Sequence, residues 1–151
     1  MSLPRKVLLF CLMTALLLPS CGEPKAEIPP DTVSIVAAKK KYRGHPEEIA
    51  IVWHNNSEHN IMFGETYHLE TLLEDEWVEL EMEERGFVYT GIVLLAGGTC
   101  EHGYETQYHY SALSPGQYRL VTAFTTNADE NDSDNPSSWE KHVLTAEFVI
   151  Q

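Results

Sequence analysis

The residues with the most suggestive chemistry form an acidic run near the carboxyl end of the chain. Ca²⁺ prefers several hard oxygen ligands on a flexible loop. With Asp129 as the first position of such a loop, oxygen-bearing side chains recur at alternate places and an acid stands at the twelfth: Asp129, Asn131, Ser133, Asn135 and Glu140. Asp134 stands at the sixth place, where glycine would allow the sharp turn, and predicted strands rather than helices adjoin. Two interpretations stay open, a calcium- or metal-responsive site within residues 127–140 and a solvated acidic loop.

Seven histidines and a cysteine form a second group of potential metal ligands. Cys100, His102 and His109 lie near one another in sequence, around a turn predicted at Gly103. Zinc and copper need three or four converging nitrogen or sulfur ligands, and no recognised ligand spacing is present. We therefore interpret the histidines as hydrated surface residues, and we expect no resident cofactor apart from the open question of Ca²⁺.

The sequence gives no positive signal for catalysis. It contains no G-x-S-x-G elbow, no H-E-x-x-H pair and no phosphate-binding loop. We expect a protein that is not an enzyme, with an enzyme of unfamiliar site as an alternative. Aromatic residues offer a further binding chemistry, since a row over Tyr104–Tyr110 and the three tryptophans could stack on sugar rings. Such residues more often fill a sandwich core, which is our interpretation here.

The first 21 residues carry the strongest targeting signal. Arg5 and Lys6 precede an uncharged apolar run over residues 7–18. Twelve helical residues span about 18 Å, short of the roughly 30 Å hydrocarbon core of a membrane, so the run suits a cleaved signal. The stretch Leu18-Pro19-Ser20-Cys21-Gly22 resembles the lipobox of bacterial lipoproteins, with Pro19 a departure from the usual small residue. That resemblance implies cleavage before Cys21 and attachment of a diacylglyceryl group, with acyl chains such as palmitate, to its thiol.

These features divide the chain into three parts. Residues 1–20 are predicted to be a lipoprotein signal peptide, and residues 21–31 the lipidated Cys21 with a flexible, proline-rich linker. Residues 32–151 are predicted to be the folded domain. Two or more acyl chains hold a protein firmly on a membrane. The expected location is therefore the extracytoplasmic face of the cell membrane, with the membrane as one partner through the anchor.

The charge balance bounds the other partners. The chain has 23 acidic and 10 basic residues and a formal net charge of −13. Nucleic acid is not expected as a partner, because its phosphates require a basic stripe. An acidic surface favours cations or basic partners. Cys100 has no disulfide partner in the chain once Cys11 leaves with the signal and Cys21 carries lipid.

Runs of two-residue alternation recur from Thr32 to the end and predict about eight short strands in an all-β, antiparallel sandwich. Glu74-Asp75-Glu76 is predicted to turn a hairpin, and Ile92–Leu95 suits a strand buried on both faces. The predicted shared faces are Ile49/Ile51/Trp53, Tyr67/Leu69/Thr71/Leu73, Tyr104/Thr106/Tyr108/Tyr110, Tyr118/Leu120/Thr122/Phe124 and Leu144/Ala146/Phe148/Ile150.

The turn before Tyr118 has two interpretations. Pro115 and Gly116 suit a type II turn, because proline presets φ and glycine takes the positive φ. Tyr118 could then bond back to the preceding chain, as in a tyrosine corner. The alternative is a plain hairpin with a core tyrosine.

Several short stretches together resemble a bacterial immunoglobulin-like domain family of extracytoplasmic proteins: residues 63–70, 77–80, 113–121 and 146–150. The resemblance implies a β-sandwich with no known catalysis and no agreed ligand. The missing glycine at Glu74-Asp75-Glu76 and the long loop after Asn127 depart from it. We therefore expect a lipid-anchored, non-catalytic immunoglobulin-like module with a binding or accessory role toward an envelope protein or glycan.

Overall fold

The chain folds as a two-sheet β-sandwich in the computed structural model, which describes residues 32–83, 86–87, 90–127 and 139–151. This confirms the predicted fold class. Within those ranges no helix is long and apolar enough to cross a membrane. The strands are β1 (Val33–Ala37), β2 (Lys41–Tyr42), β3 (Glu48–Asn55), β4 (Ile61–Leu73), β5 (Glu76–Glu79), β6 (Ile92–Leu94), β7 (Thr99–Glu105), β8 (Gly116–Asn127) and β9 (Trp139–Ile150).

The two sheets differ in size. The smaller has the order β1-β3-β7, and all of its pairs are antiparallel. The larger has the order β2-β9-β8-β4-β5, with β6 paired to the first residues of β4 and with β2 parallel to β9. In the described part of the chain, β7 therefore stands at one edge of the smaller sheet.

The core lies between the sheets and is built from alternate residues of each strand. Ile49, Ile51 and Trp53 on β3 are fully buried, as the alternation predicts. Trp53 stacks on Phe63 of β4 with 4.1 Å between ring centroids, which joins the two sheets at the middle of the core. The predicted inner faces of β8 and β9 are confirmed, with Leu144 only partly buried: Tyr118, Leu120, Thr122, Phe124, Ala146, Phe148 and Ile150.

Three details of the predicted strands were wrong. Val93 and Leu95 are exposed, because β6 is a short strand that pairs only with β4 at the rim of its sheet. The face predicted over Tyr104–Tyr110 is interrupted, because β7 ends at Glu105 and Tyr108 lies exposed in the following turn. Leu73 is also exposed, because it lies at the end of β4 beside the hairpin turn.

Two predicted turns are resolved by local geometry. Leu73 pairs with Glu76, so Glu74 and Asp75 form a two-residue turn, and both have positive φ (49° and 67°). Hairpin turns of this kind need positive φ at both central positions, and here acidic residues adopt it without glycine. The Tyr118 hydroxyl donates to the Ser114 carbonyl at 2.7 Å, which favours the tyrosine-corner interpretation over the plain hairpin. The type II turn predicted at Pro115 and Gly116 was wrong, because Gly116 already belongs to β8 and does not have a positive φ.

A bulge in β4 shapes one side of the sandwich. The pairing of β4 with β8 shifts register between Phe63 and Tyr67. At this bulge Gly64 has no side chain, and a Cβ there would lie 2.9 Å from the Thr90 carbonyl oxygen. Thr90, in the connection from β5 to β6, therefore packs directly against the bulge. Residues 64–66 of β4 stand opposite Ala123 alone, so β4 has two extra residues there, and one of them, Glu65, reaches His102 at the edge of the smaller sheet.

Candidate functional site

The outer edge of β7 exposes backbone hydrogen-bonding groups at every second residue. Beyond one end of the strand, the Asn55 N–H donates to the Gly98 carbonyl at 2.9 Å, and beyond the other the Thr106 N–H donates to the Glu47 carbonyl at 2.8 Å. These two bonds set the phase of the ladder, because bonded and non-bonded pairs alternate along antiparallel strands. The N–H and C=O groups of Thr99, Glu101, Gly103 and Glu105 therefore point away from β3.

A cleft of about 560 Å³ lies beside this edge. Its volume falls in the range of small-ligand and peptide-contact pockets. Its walls come from β7, from the β4 bulge, from β3 and from the chain after each of β5 and β7: Glu48, Glu65, Tyr67, Gly86, Phe87, Thr90, His102, Gly103, Glu105, Tyr108 and His109. The cleft thus joins the two sheets at the side where the smaller sheet ends.

The cleft is acidic. Glu48, Glu65 and Glu105 all line it, and no lysine or arginine is among its described lining residues. The His102 Nε2 lies 3.1 Å from Glu65 Oε2, so this pair connects β7 with the β4 bulge across the open side of the sandwich. Glu48 and Glu105 are exposed and directly opposite each other in the β3–β7 register. A cationic group would be attracted to this lining.

Gly103 allows Glu48 to reach the cleft. Residue 103 faces outward from the sandwich beside Ala50, two positions along β3 from Glu48. The Glu48 carboxylate lies where a Cβ at residue 103 would be. A carboxylate from the middle strand of the sheet therefore extends across β7 to its free edge.

Aromatic rings form the floor and one rim. The buried Tyr67 donates its hydroxyl proton to the outward-facing Glu105 carbonyl. Burial, together with nearby Tyr110 and Glu105, raises the pKa of Tyr67 far above its ordinary value, so this hydroxyl remains a donor at all physiological pH values. Phe87 packs on His109 with 4.6 Å between ring centroids, and Tyr108 packs on His109 edge to face at 5.1 Å. Tyr108 is 60% exposed and can contact a ligand from the rim.

A second cavity, of about 520 Å³, lies on the other side of the bulge. It opens on the outer face of the larger sheet, where Met62, Val121 and Val143 make its floor mainly apolar. Glu65, Tyr67 and Thr90 line both cavities, so the β4 bulge and the packed connection form the wall between them.

Comparison with known proteins gives the family. Residues 29–148 match the model of the bacterial Ig-like domain. The chain belongs to that family. No curated protein matches the chain. Among solved structures, this Ig-like domain is similar to PapD-like domain 7 of human CEP192 (an ASH / PapD-like domain), at 10% identity and a TM-score of 0.34, with 98% of each chain covered. It is also similar to the CooA pilin subunit of enterotoxigenic Escherichia coli, at 11% identity and a TM-score of 0.27, with 80% of this chain and 99% of that chain covered.

Most of the site residues predicted from sequence lie outside the part of this Ig-like domain protein that the structure describes. Those outside are Cys21, Asp129, Asn131, Ser133 and Asn135. Glu140 is described, and it is exposed on β9 opposite Thr126. In the described ranges no three His, Cys, Asp or Glu residues stand together in a way that could hold a metal ion. The calcium loop stays a prediction.

The interpretation of the histidines as hydrated surface groups was wrong for His109. That residue is buried beneath Phe87 and Tyr108, because the turn after β7 folds back over the end of the core. Cys100 is a free cysteine on the inner side of β7, and burial raises the pKa of its thiol. It is therefore a poor nucleophile at neutral pH.

The acidic residues of the cleft were not identifiable from the sequence. Glu48, Glu65 and Glu105 are three among many carboxylates, and their convergence depends on which strands pair. One signal was present: Gly64 and Gly103 each interrupt a strand pattern, and an isolated glycine in a strand often marks a bulge or a close approach. Gly103 lines the cleft, and Gly64 lines the second cavity on the other side of the bulge.

Proposed function

We propose that this chain is a lipid-anchored, extracytoplasmic binding module of the cell envelope, and that it holds a partner in the cleft beside β7 without catalysing a reaction. Membership of the bacterial Ig-like domain family supports a binding scaffold. Fold alone does not determine function, so the proposal depends on the cleft.

The observation that carries the proposal is the combination of shape and chemistry at the β7 edge. The cleft is open, about 560 Å³ in volume, and lined by three carboxylates and by exposed Tyr108. Tyrosine is enriched where proteins meet partners, because its ring provides contact area and its hydroxyl provides a hydrogen bond. The acidic lining agrees with the formal net charge of −13 and favours a partner that presents positive charge.

The polar groups of the cleft support binding rather than chemistry. The Tyr67 hydroxyl is held as a donor to a backbone carbonyl, and its raised pKa removes it as a base or nucleophile at neutral pH. His102 is oriented by Glu65, but the described lining of the cleft contains no serine or cysteine that this pair would activate.

The anchor is supported by the leader sequence. The order of basic start, apolar run and lipobox-like Leu18-Pro19-Ser20-Cys21-Gly22 is typical of bacterial lipoproteins. The prolines and charges of residues 22–31 suit a spacer between lipid and domain. Under this proposal the cleft faces partners near the membrane surface.

Site-specific photo-crosslinking in the native host tests the binding surface. A photoreactive amino acid replaces Tyr108 at the cleft, Val143 at the second cavity, or Leu73 at the distant hairpin; these side chains are 60%, 62% and 54% exposed, so they are matched for accessibility. We expect a discrete crosslinked species from Tyr108 that is absent or much weaker from Leu73. Equal labelling at all three positions, or a species confined to Val143, contradicts the proposal.

A further inference from the structure

The free edge of β7 is a template for another strand. The outward N–H and C=O groups of Glu101 and Gly103 have no hydrogen-bond partner among the described residues. An unpaired edge of this kind presents donors and acceptors at the spacing that an extended chain matches. An added strand would lie along the cleft, because His102, Gly103 and Glu105 of the same strand line it.

The side chains along this edge specify what the added strand should carry. Glu48 and Glu105 lie on the outer face of the sheet, whereas Glu65 lies on the inner side and pairs with His102. Exposed Tyr108 and partly buried Phe87 stand at the end of the edge. Carboxylates beside aromatic faces favour lysine or arginine, since a cation gains both Coulomb attraction and a cation–π contact.

From this placement we infer that β7 is the docking strand for an extended segment of a partner protein, and that this segment carries lysine or arginine at alternate positions. The inference rests on the proposed function, because it names the class of partner that the same cleft would hold. Main-chain bonds to β7 would supply binding that is independent of sequence, and the acidic lining would select basic side chains. The segment would extend the three-stranded sheet to four strands.

The other strand edges of the sandwich fit this role less well. β2 has two residues and β5 has four, so each offers few backbone groups. β1 also stands at an edge of the smaller sheet, and the backbone N–H and C=O groups of its alternate residues point away from β3: Val33, Ile35 and Ala37. None of these residues lines either of the two cavities described above. The β7 edge alone among these combines a seven-residue strand, a cleft and carboxylates.

Defined peptides test the inference on the purified domain, residues 22–151. The probe is a fluorescent eight-residue peptide that alternates valine and lysine, measured by anisotropy at low salt. Its controls replace every lysine with glutamate, or methylate the backbone nitrogen at every lysine or at every valine. Alternate methylation blocks one edge of an extended peptide and leaves its charge unchanged. We expect the lysine peptide to bind, the glutamate peptide not to bind, and one of the two methylated peptides to bind roughly ten-fold more weakly or worse.

Protein variants test the same surface. Glu48→Gln and Glu105→Gln should each weaken binding of the lysine peptide roughly three-fold, and Glu79→Gln, which changes an exposed acid on β5 outside the cleft, should not. Gly103→Pro removes an outward N–H donor and no bond to β3, so a folded variant should lose binding. If Gly103→Pro fails to fold, the two methylated peptides still test whether binding depends on main-chain hydrogen bonds.

Three results would overturn the inference. They are equal binding of both methylated peptides and the parent, equal binding of the lysine and glutamate peptides, and no binding of the lysine peptide at millimolar concentration. None of these removes the proposed function, which fails instead if crosslinking at Tyr108 does not exceed crosslinking at Leu73.

Discussion

The Glu48 carboxylate occupies the space that a side chain at residue 103 would fill, so Gly103 lets an acid on the central strand β3 reach the free edge of β7. The negative charge of Glu48 therefore lies beside the outward backbone groups of β7. The same glycine turns its N–H and C=O outward, and the carboxylate lies beside them. The edge of the sheet and the acidic lining therefore belong to a single surface.

Replacing Gly103 with alanine should change the position of the Glu48 carboxylate without changing the backbone pairing of β7. The new Cβ would meet the end of a flexible glutamate side chain, so the carboxylate should move while the strand keeps its backbone bonds. We expect the free energy of unfolding to change by less than about 0.5 kcal/mol. Peptide binding should fall to the level of Glu48→Gln. Full wild-type binding by Gly103→Ala would show that the glycine does not position this carboxylate.

The ion pair on the outer face of the larger sheet predicts a pH-dependent stability. Burial raises the pKa of Glu70, but hydrogen bonds from Arg119 and His68 outweigh that effect and the net pKa is lowered. A carboxyl whose pKa is lower when folded stabilises the protein above its unfolded pKa of about 4.3, and this contribution is lost as pH falls through the folded value. Arg119 is also fixed over the Trp77 ring, 4.7 Å from its centroid.

Glu70→Gln should therefore lower the free energy of unfolding at pH 7, and the difference from wild type should shrink as pH falls below about 4. Urea unfolding at a series of pH values measures this. Glu79→Gln is the matched control, because Glu79 is directly opposite Glu70 in the β4–β5 hairpin but is exposed. A difference for Glu70→Gln that stays constant from pH 7 to pH 3 would refute the assignment.

Asn55 should be a major determinant of stability. Its side chain is fully buried, and its amide donates to the carbonyls of His59, Leu94 and Leu95 at 2.8, 3.2 and 3.0 Å. Its carbonyl oxygen accepts from the N–H and hydroxyl of Ser57. Asn55→Ala leaves these buried groups unsatisfied and should lower the free energy of unfolding by about 2–4 kcal/mol.

The control for Asn55 is Asn60→Ala. Asn60 is exposed and accepts one bond, from the Ala96 N–H at 3.0 Å, so its loss should cost under about 1 kcal/mol. Denaturant unfolding of both variants gives the comparison. Equal losses would contradict a special role for the buried asparagine.

The proposed lipid anchor at Cys21 predicts how the protein fractionates and whether it incorporates an acyl label. In the native host, Cys21→Ser should move the protein from the membrane fraction to the soluble fraction and abolish incorporation of a palmitate analogue, because the lipobox-like stretch no longer offers a thiol to carry lipid. Cys100→Ser should leave both properties unchanged, since that cysteine lies on the inner side of β7. A wild-type chain that incorporates no acyl label would contradict the anchor.

The faces of the strands were predictable because alternation is a local property. The burial of Ile49, Ile51 and Trp53 follows from the placement of apolar residues at every second position. The corner at Tyr118 needs only the five residues from Ser114 to Tyr118. The end of β7 was not predictable in this way. The Thr106 hydroxyl donates to the Pro46 carbonyl at 2.6 Å, a contact with a segment 60 positions earlier that ends the strand and sends Tyr108 outward.

The cleft could not be predicted from local sequence patterns either, because it too depends on contacts between distant segments. Glu48, Glu65 and Glu105 come from three strands of two sheets, and they converge only because β7 ends its sheet and β4 bulges beside it. Nothing in their sequence spacing distinguishes them from exposed acids such as Glu79. Long-range pairing determines which strands stand at a sheet edge and in which register they pair. The candidate site depends on both.

Amide hydrogen exchange resolved by residue is the most direct measurement of whether β7 is a docking strand. The domain is compared free and saturated with the valine–lysine peptide, and the outward amides of Val33 and Ala37 on the opposite edge strand serve as internal controls. We predict that exchange at Glu101 and Gly103 slows roughly ten-fold or more on binding, while the β1 amides are unchanged. Bound peptide with unprotected amides at Glu101 and Gly103 would show that β7 is not the docking strand.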